Sequence, residues 1–127
     1  MGVKFDSRAP VYLQVIHYFK VKIASGEIES GEEIPSRREL ARTFKINPNT
    51  VQRAYKEMEE QGLISTDGNM PSRVTDDENL LHVVRDELLM EAVDDLVEAV
   101  KPIHVPLHEL ISLIESQYVK DVEEGEK

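Results

Sequence analysis

A chain of 127 residues, 40% apolar and 31% charged, is sized for one or two small domains with an economical core. It holds no cysteine, which excludes disulfides, thiolate catalysis and cysteine-based zinc sites. With no apolar run as long as a membrane span and no secretory pattern at the N-terminus, the expected place is the cytoplasm, away from membranes.

The formal charge of −10 is unevenly placed. Residues 1–75 hold 11 Lys/Arg and 10 Asp/Glu, a net of +1, and residues 76–127 hold 4 and 15, a net of −11. This shift predicts a boundary near Thr75, with domains at 1–75 and 76–127, and argues against a nucleic-acid role for the second half. An acidic whole is no objection to DNA binding by the first half, because phosphates feel a local surface within a Debye length of roughly 10 Å.

Residues 1–9 read as an arm leading into a first helix, about Pro10 to Ser25, with Val11, Val15, Ile16, Phe19 and Ile23 facing inward. Gly26 ends it. The connector from Gly26 to Gly31 has Ile28 as its buried anchor. The lone His17 reads as a surface or packed ring rather than a ligand.

Between Ile34 and Lys56 the chain is locally basic. Arg37, Arg38, Arg42, Lys45, Arg53 and Lys56 stand against the single acid Glu39, a pattern that suits a polyanion. Ser36 followed by Glu39 is a capping box opening a helix with Leu40, Ala41 and Phe44 as its apolar stripe. Asn47-Pro48 restarts the chain, with Asn47 as cap and Pro48 at the first helical position. The next helix runs to about Gln61 and stops at Gly62, burying Val51, Ala54, Tyr55 and Met58. Its exposed start offers Asn49, Thr50, Gln52 and Arg53, residue types that pair with base edges or phosphate. The plainer reading of the same stretch is a helical hairpin with a solvated face.

After Gly62 the period changes. Leu63–Thr66 reads as a strand, Asp67-Gly68-Asn69 as a turn and Ser72–Thr75 as the return strand. The second half reads as two helices. The first runs from about Glu78 to Lys101 and ends before Pro102. Leu89, Val93, Leu96 and Val100 form its central stripe, widened by Leu81, Leu88, Ala92 and Ala99 on one side and by Met90 and Val97 on the other. The second, about Pro106 to Tyr118, aligns Leu107, Leu110, Ile111, Ile114 and Tyr118. Two helices cannot bury faces this broad between themselves. The surplus predicts a homodimer through Leu81, Leu88, Leu89, Val93, Leu96, Val97, Val100, Leu110, Ile111 and Ile114. Residues from Asp121 onward read as a solvated tail. His104 and His108 flank the start of the last helix and read as polar surface rather than metal ligands. Asp76-Asp77-Glu78 reads as a linker with acids favourable to a helix start. No nucleophile–base pair and no phosphate loop appears, so neither an enzyme nor a cofactor is expected.

The segment from Pro10 to Thr75 resembles the winged-helix domain of GntR-family bacterial transcription regulators. The matching residues are Pro10/Tyr12/Gln14, the spacer Ile23/Gly26/Ile28/Gly31, the run Pro35 to Ala41, the run Thr50 to Tyr55 and the exit Gly62 to Ile64. The short helical remainder is similar to the YtrA-type subfamily, which lacks large effector domains. The resemblance implies a mainly α fold: an N-terminal winged helix-turn-helix, three helices plus a β-hairpin wing, and a short C-terminal two-helix dimerisation region. It implies a sequence-specific regulator, most simply a repressor, binding a pseudo-palindromic DNA operator as a homodimer. Arg38 takes the place of the DNA-contacting arginine of the family's second helix, and the start of the next helix, Asn47 to Arg53, would supply the remaining contacts. Arg37 and Arg53 are assigned to phosphate, and Arg73 could reach one from the wing. The chain departs from the family in two places. Pro48 stands where several members carry a basic residue, and the wing lacks the second glycine of Gly-x-Gly, with Pro71 close behind. Two rival readings remain open: a winged-helix protein–protein interaction module, and a sensor gated by a metal or an unidentified small-molecule effector.

Overall fold

The computed structural model describes residues 5–125. Its elements in chain order are α1 (Val11–Ala24), α2 (Arg37–Phe44), α3 (Pro48–Glu60), β1 (Ile64–Ser65), β2 (Arg73–Val74), α4 (Glu78–Val100), a 3-10 turn (Lys101–Ile103) and α5 (Leu107–Gly125). The chain divides into two compact units, Met1–Leu89 and Met90–Lys127.

The first unit is a winged helix-turn-helix. Helices α1, α2 and α3 surround a core in which Val15, Phe19, Val51, Tyr55, Met58 and Leu63 are essentially inaccessible to solvent. The rings interlock edge to face: Phe19 on Tyr55 with centroids 5.9 Å apart, and Tyr18 on Phe44 at 5.1 Å. Such pairs add about 0.5–1.5 kcal/mol each beyond the area they bury. Of the expected N-terminal arm, residues 1–4 lie outside the described part. From Phe5 on, the segment is folded back onto the domain. Phe5 packs on Phe44, and the Gln14 side chain accepts from the Asp6 N–H and donates to the carbonyls of Asp6 and Ala9. This is the structural role of the glutamine in the Pro-x-Tyr-x-Gln run.

The wing is shorter than its sequence suggests. β1 and β2 pair antiparallel with Ile64 opposite Val74 and Ser65 opposite Arg73. Leu63, Thr66, Ser72 and Thr75 fall outside the strands, and the Asp67 carbonyl closes the tip by accepting from Met70 N–H. Pro71 supplies no N–H and stands just before β2, which limits the ladder there. The other edge of β2 is covered by the connector. Gly31 N–H donates to the Val74 carbonyl, Val74 N–H to Glu32, and Ile34 N–H to Ser72. Gly31 holds a φ of 79° at this crossing, where a side chain would be strained.

The linker after the wing leads into the helices of the second half. The Asp77 carboxylate accepts from the N–H groups of Asn79 and Leu80, so the linker acids cap α4. The start of α4 belongs to the first unit: Val84 is buried in the winged-helix core, and Leu81 and Leu88 pack against it half-buried. The packing division after Leu89 therefore falls later in the chain than the charge shift at Thr75. In the second unit, α5 does not give way to a loose tail at Asp121 but continues to Gly125, because no Gly or Pro interrupts the run from Leu107. Residues 126–127 lie outside the described part. Among residues 90–123 no side chain is buried, and only Val100, Val105 and Leu110 are even half-buried.

Replacing Val84 with Ala should cost the first unit about 1–3 kcal/mol, from lost burial and the cavity left behind. The same change at the half-exposed Val83 should stay within about 0.5 kcal/mol. Urea denaturation of the two variants checks this.

Candidate nucleic-acid interface

Helices α2 and α3 form the helix-turn-helix, and each end of the motif is fixed by a local device. At the start of α2 both arms of the capping box are made. Ser36 Oγ accepts from Glu39 N–H at 3.1 Å, and the Glu39 carboxylate accepts from Ser36 N–H at 3.4 Å. Lys45 ends α2 in the left-handed conformation at φ 55°. At the start of α3, Asn47 Oδ1 accepts from Asn49 N–H at 2.8 Å, and Pro48 occupies the first turn. The Asn47 side chain is thus engaged in setting the helix start.

The two helices are tied together through Tyr55. Its hydroxyl, wholly buried, donates to the Pro35 carbonyl at 2.6 Å. The Arg37 guanidinium lies over the same ring, 5.0 Å from the centroid, and pairs with Glu59 of α3. Burial pushes the Tyr55 phenol well above its ordinary range, with Arg37 opposing and Glu39 reinforcing the shift. Behind this pair, Thr66 Oγ1 donates to Glu59 and shares a hydrogen bond with the buried Ser72 hydroxyl, linking the base of the wing to α3.

These contacts sort the arginines assigned to DNA. Arg37 is half-buried and faces Glu59, a placement that serves the α2–α3 junction. Arg73 pairs with Glu33 at 2.7 Å and donates to the Gly31 carbonyl, which secures the wing to the connector. Arg53 lies on the Tyr12 ring and donates to its hydroxyl. Arg38 is exposed and, among the described residues, has no ion-pair partner; the same holds for Arg42, which was counted in the basic run but not assigned a contact. Arg38 and Arg42 line an open groove between α2 and α3 together with Ile46, Pro48, Asn49 and Gln52. The spacing of four between Arg38 and Arg42 was the signal for a shared helical face. Asn49 and Gln52 are exposed and Thr50 half-exposed. Among the described residues, the surface presents two cations without carboxylate partners beside amide side chains at the exposed start of α3. This suits phosphate and base edges.

The model of the bacterial regulatory proteins of the gntR family matches residues 11–74, half of the chain. The chain belongs to the GntR family. This GntR protein is similar to YhcF of Bacillus subtilis, an uncharacterised HTH-type transcriptional regulator, at 29% identity over 91% of this chain and 96% of YhcF. It is also similar to the HTH-type transcriptional repressor YtrA of Bacillus subtilis, at 42% identity over 50% of this chain and 51% of YtrA. Among solved structures, the GntR family transcriptional regulator from Listeria monocytogenes matches with a TM-score of 0.81 at 28% identity, covering 88% of this chain and 98% of that one. The GntR protein is accordingly a DNA-binding transcription regulator and not an enzyme. No helix among its described residues is long and apolar enough to cross a membrane.

The buried phenol gives a pH test of the α2–α3 junction. The unfolded chain releases the Tyr55 proton near pH 10, while the folded chain holds it above that. Unfolding is then favoured as pH rises past about 10, and stability should fall across that range. In Tyr55→Phe this part of the alkaline slope should vanish, and stability at neutral pH should drop by about 1–3 kcal/mol because the Pro35 carbonyl loses its donor. Urea denaturation of both proteins between pH 7 and 11 reads the two effects.

Proposed function

We propose that this GntR regulator is a repressor that binds a pseudo-palindromic operator as a homodimer in the cytoplasm. In this reading residues 1–75 carry the DNA surface. Arg38 and Arg42 meet phosphate or guanine, and Asn49, Thr50 and Gln52 meet base edges in the major groove. The supporting observation is the groove in which Arg38 and Arg42 stand without carboxylate partners among the described residues, beside Asn49 and Gln52. The repressor assignment is supported by the likeness to YtrA, which is called a repressor.

The homodimer rests on the second unit and on Leu89 just before it. Leu89 and Val93 are about half exposed, at 52% and 51%, and Leu96, Val97, Ile111 and Ile114 are exposed as well. Val100 and Leu110 are half-buried. A unit with no buried side chain among residues 90–123 has no core of its own, and a second copy would supply one. Leu81 and Leu88 already pack on the winged-helix core, so they contribute less to this face than the residues after them. Two DNA-binding domains held this way would address half-sites one helical turn apart or a multiple of it.

Arg38→Ala should weaken binding to the selected operator by about 1–3 kcal/mol and relax its sequence preference. Unchanged affinity and preference in a fluorescence-anisotropy titration would remove Arg38 from the contact surface. For the assembly, Val93→Asp should give monomers in sedimentation velocity that hold a single half-site only weakly. Persistence of the dimer would place the interface elsewhere.

A further inference from the structure

Arg53 differs from the other arginines of this domain that are held in place. Arg37 and Arg73 each face a carboxylate, Glu59 and Glu33. The guanidinium carbon of Arg53 stands 3.8 Å from the centroid of the Tyr12 ring, and its Nη2 donates to the Tyr12 hydroxyl at 3.1 Å. Among the described residues, the ring and the hydroxyl that hold this arginine belong to the same uncharged phenol. Stacking and hydrogen bonding fix the direction of the guanidinium while leaving its charge uncompensated. A carboxylate would have fixed the direction and cancelled the charge.

The platform is itself well held. Tyr12 lies in the first turn of α1 and is half-buried against the core. Two residues on, Gln14 binds the segment running from Asp6 to Ala9 through three hydrogen bonds, which anchors the start of the helix. Arg53 is exposed and follows the groove-lining Gln52 on α3, about 100° further round the helix and outside the lining itself.

We propose that Tyr12 is a positioning residue for DNA binding: it holds Arg53 of the recognition helix, charged and pre-oriented, against a backbone phosphate of the operator. The proposal rests on the DNA surface put forward above. Its physical content is that the rotamer freedom of Arg53 is lost when the domain folds, not when DNA binds. Tyr12 then raises affinity without touching a base.

The test is a double-mutant cycle with the full chain and its selected operator, run as anisotropy titrations across a salt series. Variants are Tyr12→Leu, Tyr12→Phe, Arg53→Ala and Tyr12→Leu/Arg53→Ala, with thermal unfolding of each as a folding check. Arg53→Ala should weaken binding and lower the slope of log affinity against log salt by about one per site, as expected for a lost phosphate contact. Tyr12→Leu should weaken binding about two- to fivefold in the parent protein, the worth of an exposed cation–π contact. In the Arg53→Ala background it should have no further effect. Tyr12→Phe keeps the stack and should fall between parent and Tyr12→Leu. Equal effects of Tyr12→Leu in both backgrounds would overturn the proposal, as would an Arg53→Ala variant with unchanged salt slope. Should Tyr12→Leu unfold, the comparison of Tyr12→Phe in the two backgrounds decides by the same rule. Arg38→Ala separates the two levels. If it weakens binding while Arg53→Ala does not, the platform alone is wrong. If neither does, the DNA surface itself is misplaced.

Discussion

The buried Tyr55 is the point from which the geometry of the DNA surface follows. Its ring meets Phe19 of α1 in an edge-to-face contact and carries the guanidinium of Arg37, and its hydroxyl donates to the carbonyl of Pro35 shortly before α2. Two segments far apart in the chain, α1 and the start of α2, thus converge on one side chain of α3. A phenol in this position cannot ionise cheaply and cannot lose its acceptor without leaving a buried carbonyl unpaired, so the angle between α2 and α3 is strongly determined. The Arg37–Glu59 pair extends this constraint to Thr66 and Ser72 at the base of the wing. The groove lined by Arg38, Arg42, Asn49 and Gln52 is the outer surface of that arrangement.

Local signals in the sequence located the elements well. Ser36 and Glu39, Asn47 and Pro48, and Gly62 are each a few residues from the event they control, and the structure uses every one of them as a cap or a stop. The same locality explains what spacing does not reveal. The partners of Arg37, Arg53 and Arg73 lie 22, 41 and 40 residues away, so composition marks these side chains as cations but not as paired or stacked ones. Arg42 illustrates the converse: its exposure on the groove follows from helical period alone.

The second half of the chain shows a different kind of illegibility. Apolar residues run nearly all round α4: Val84, which enters the winged-helix core, and Val93, which is half exposed, stand nine residues apart and so on opposite sides of the helix. An apolar stripe specifies that a helix must be covered but not by what. The wing fell short of its expected length for a stated reason, the imino acid at Pro71 beside a two-residue ladder. α5 exceeded its expected length because acidic residues at its end do not break a helix, whereas Gly or Pro would.

The central claim, sequence-specific operator binding by a dimer, is tested most directly by selecting genomic fragments with the purified protein and repeating the binding across a salt series. The expected result is an enriched inverted repeat whose half-sites lie one helical turn or a multiple apart, bound with affinity that falls steeply as salt rises. Absence of any enriched sequence, or enrichment of a single half-site by a protein that sediments as a monomer, would contradict it.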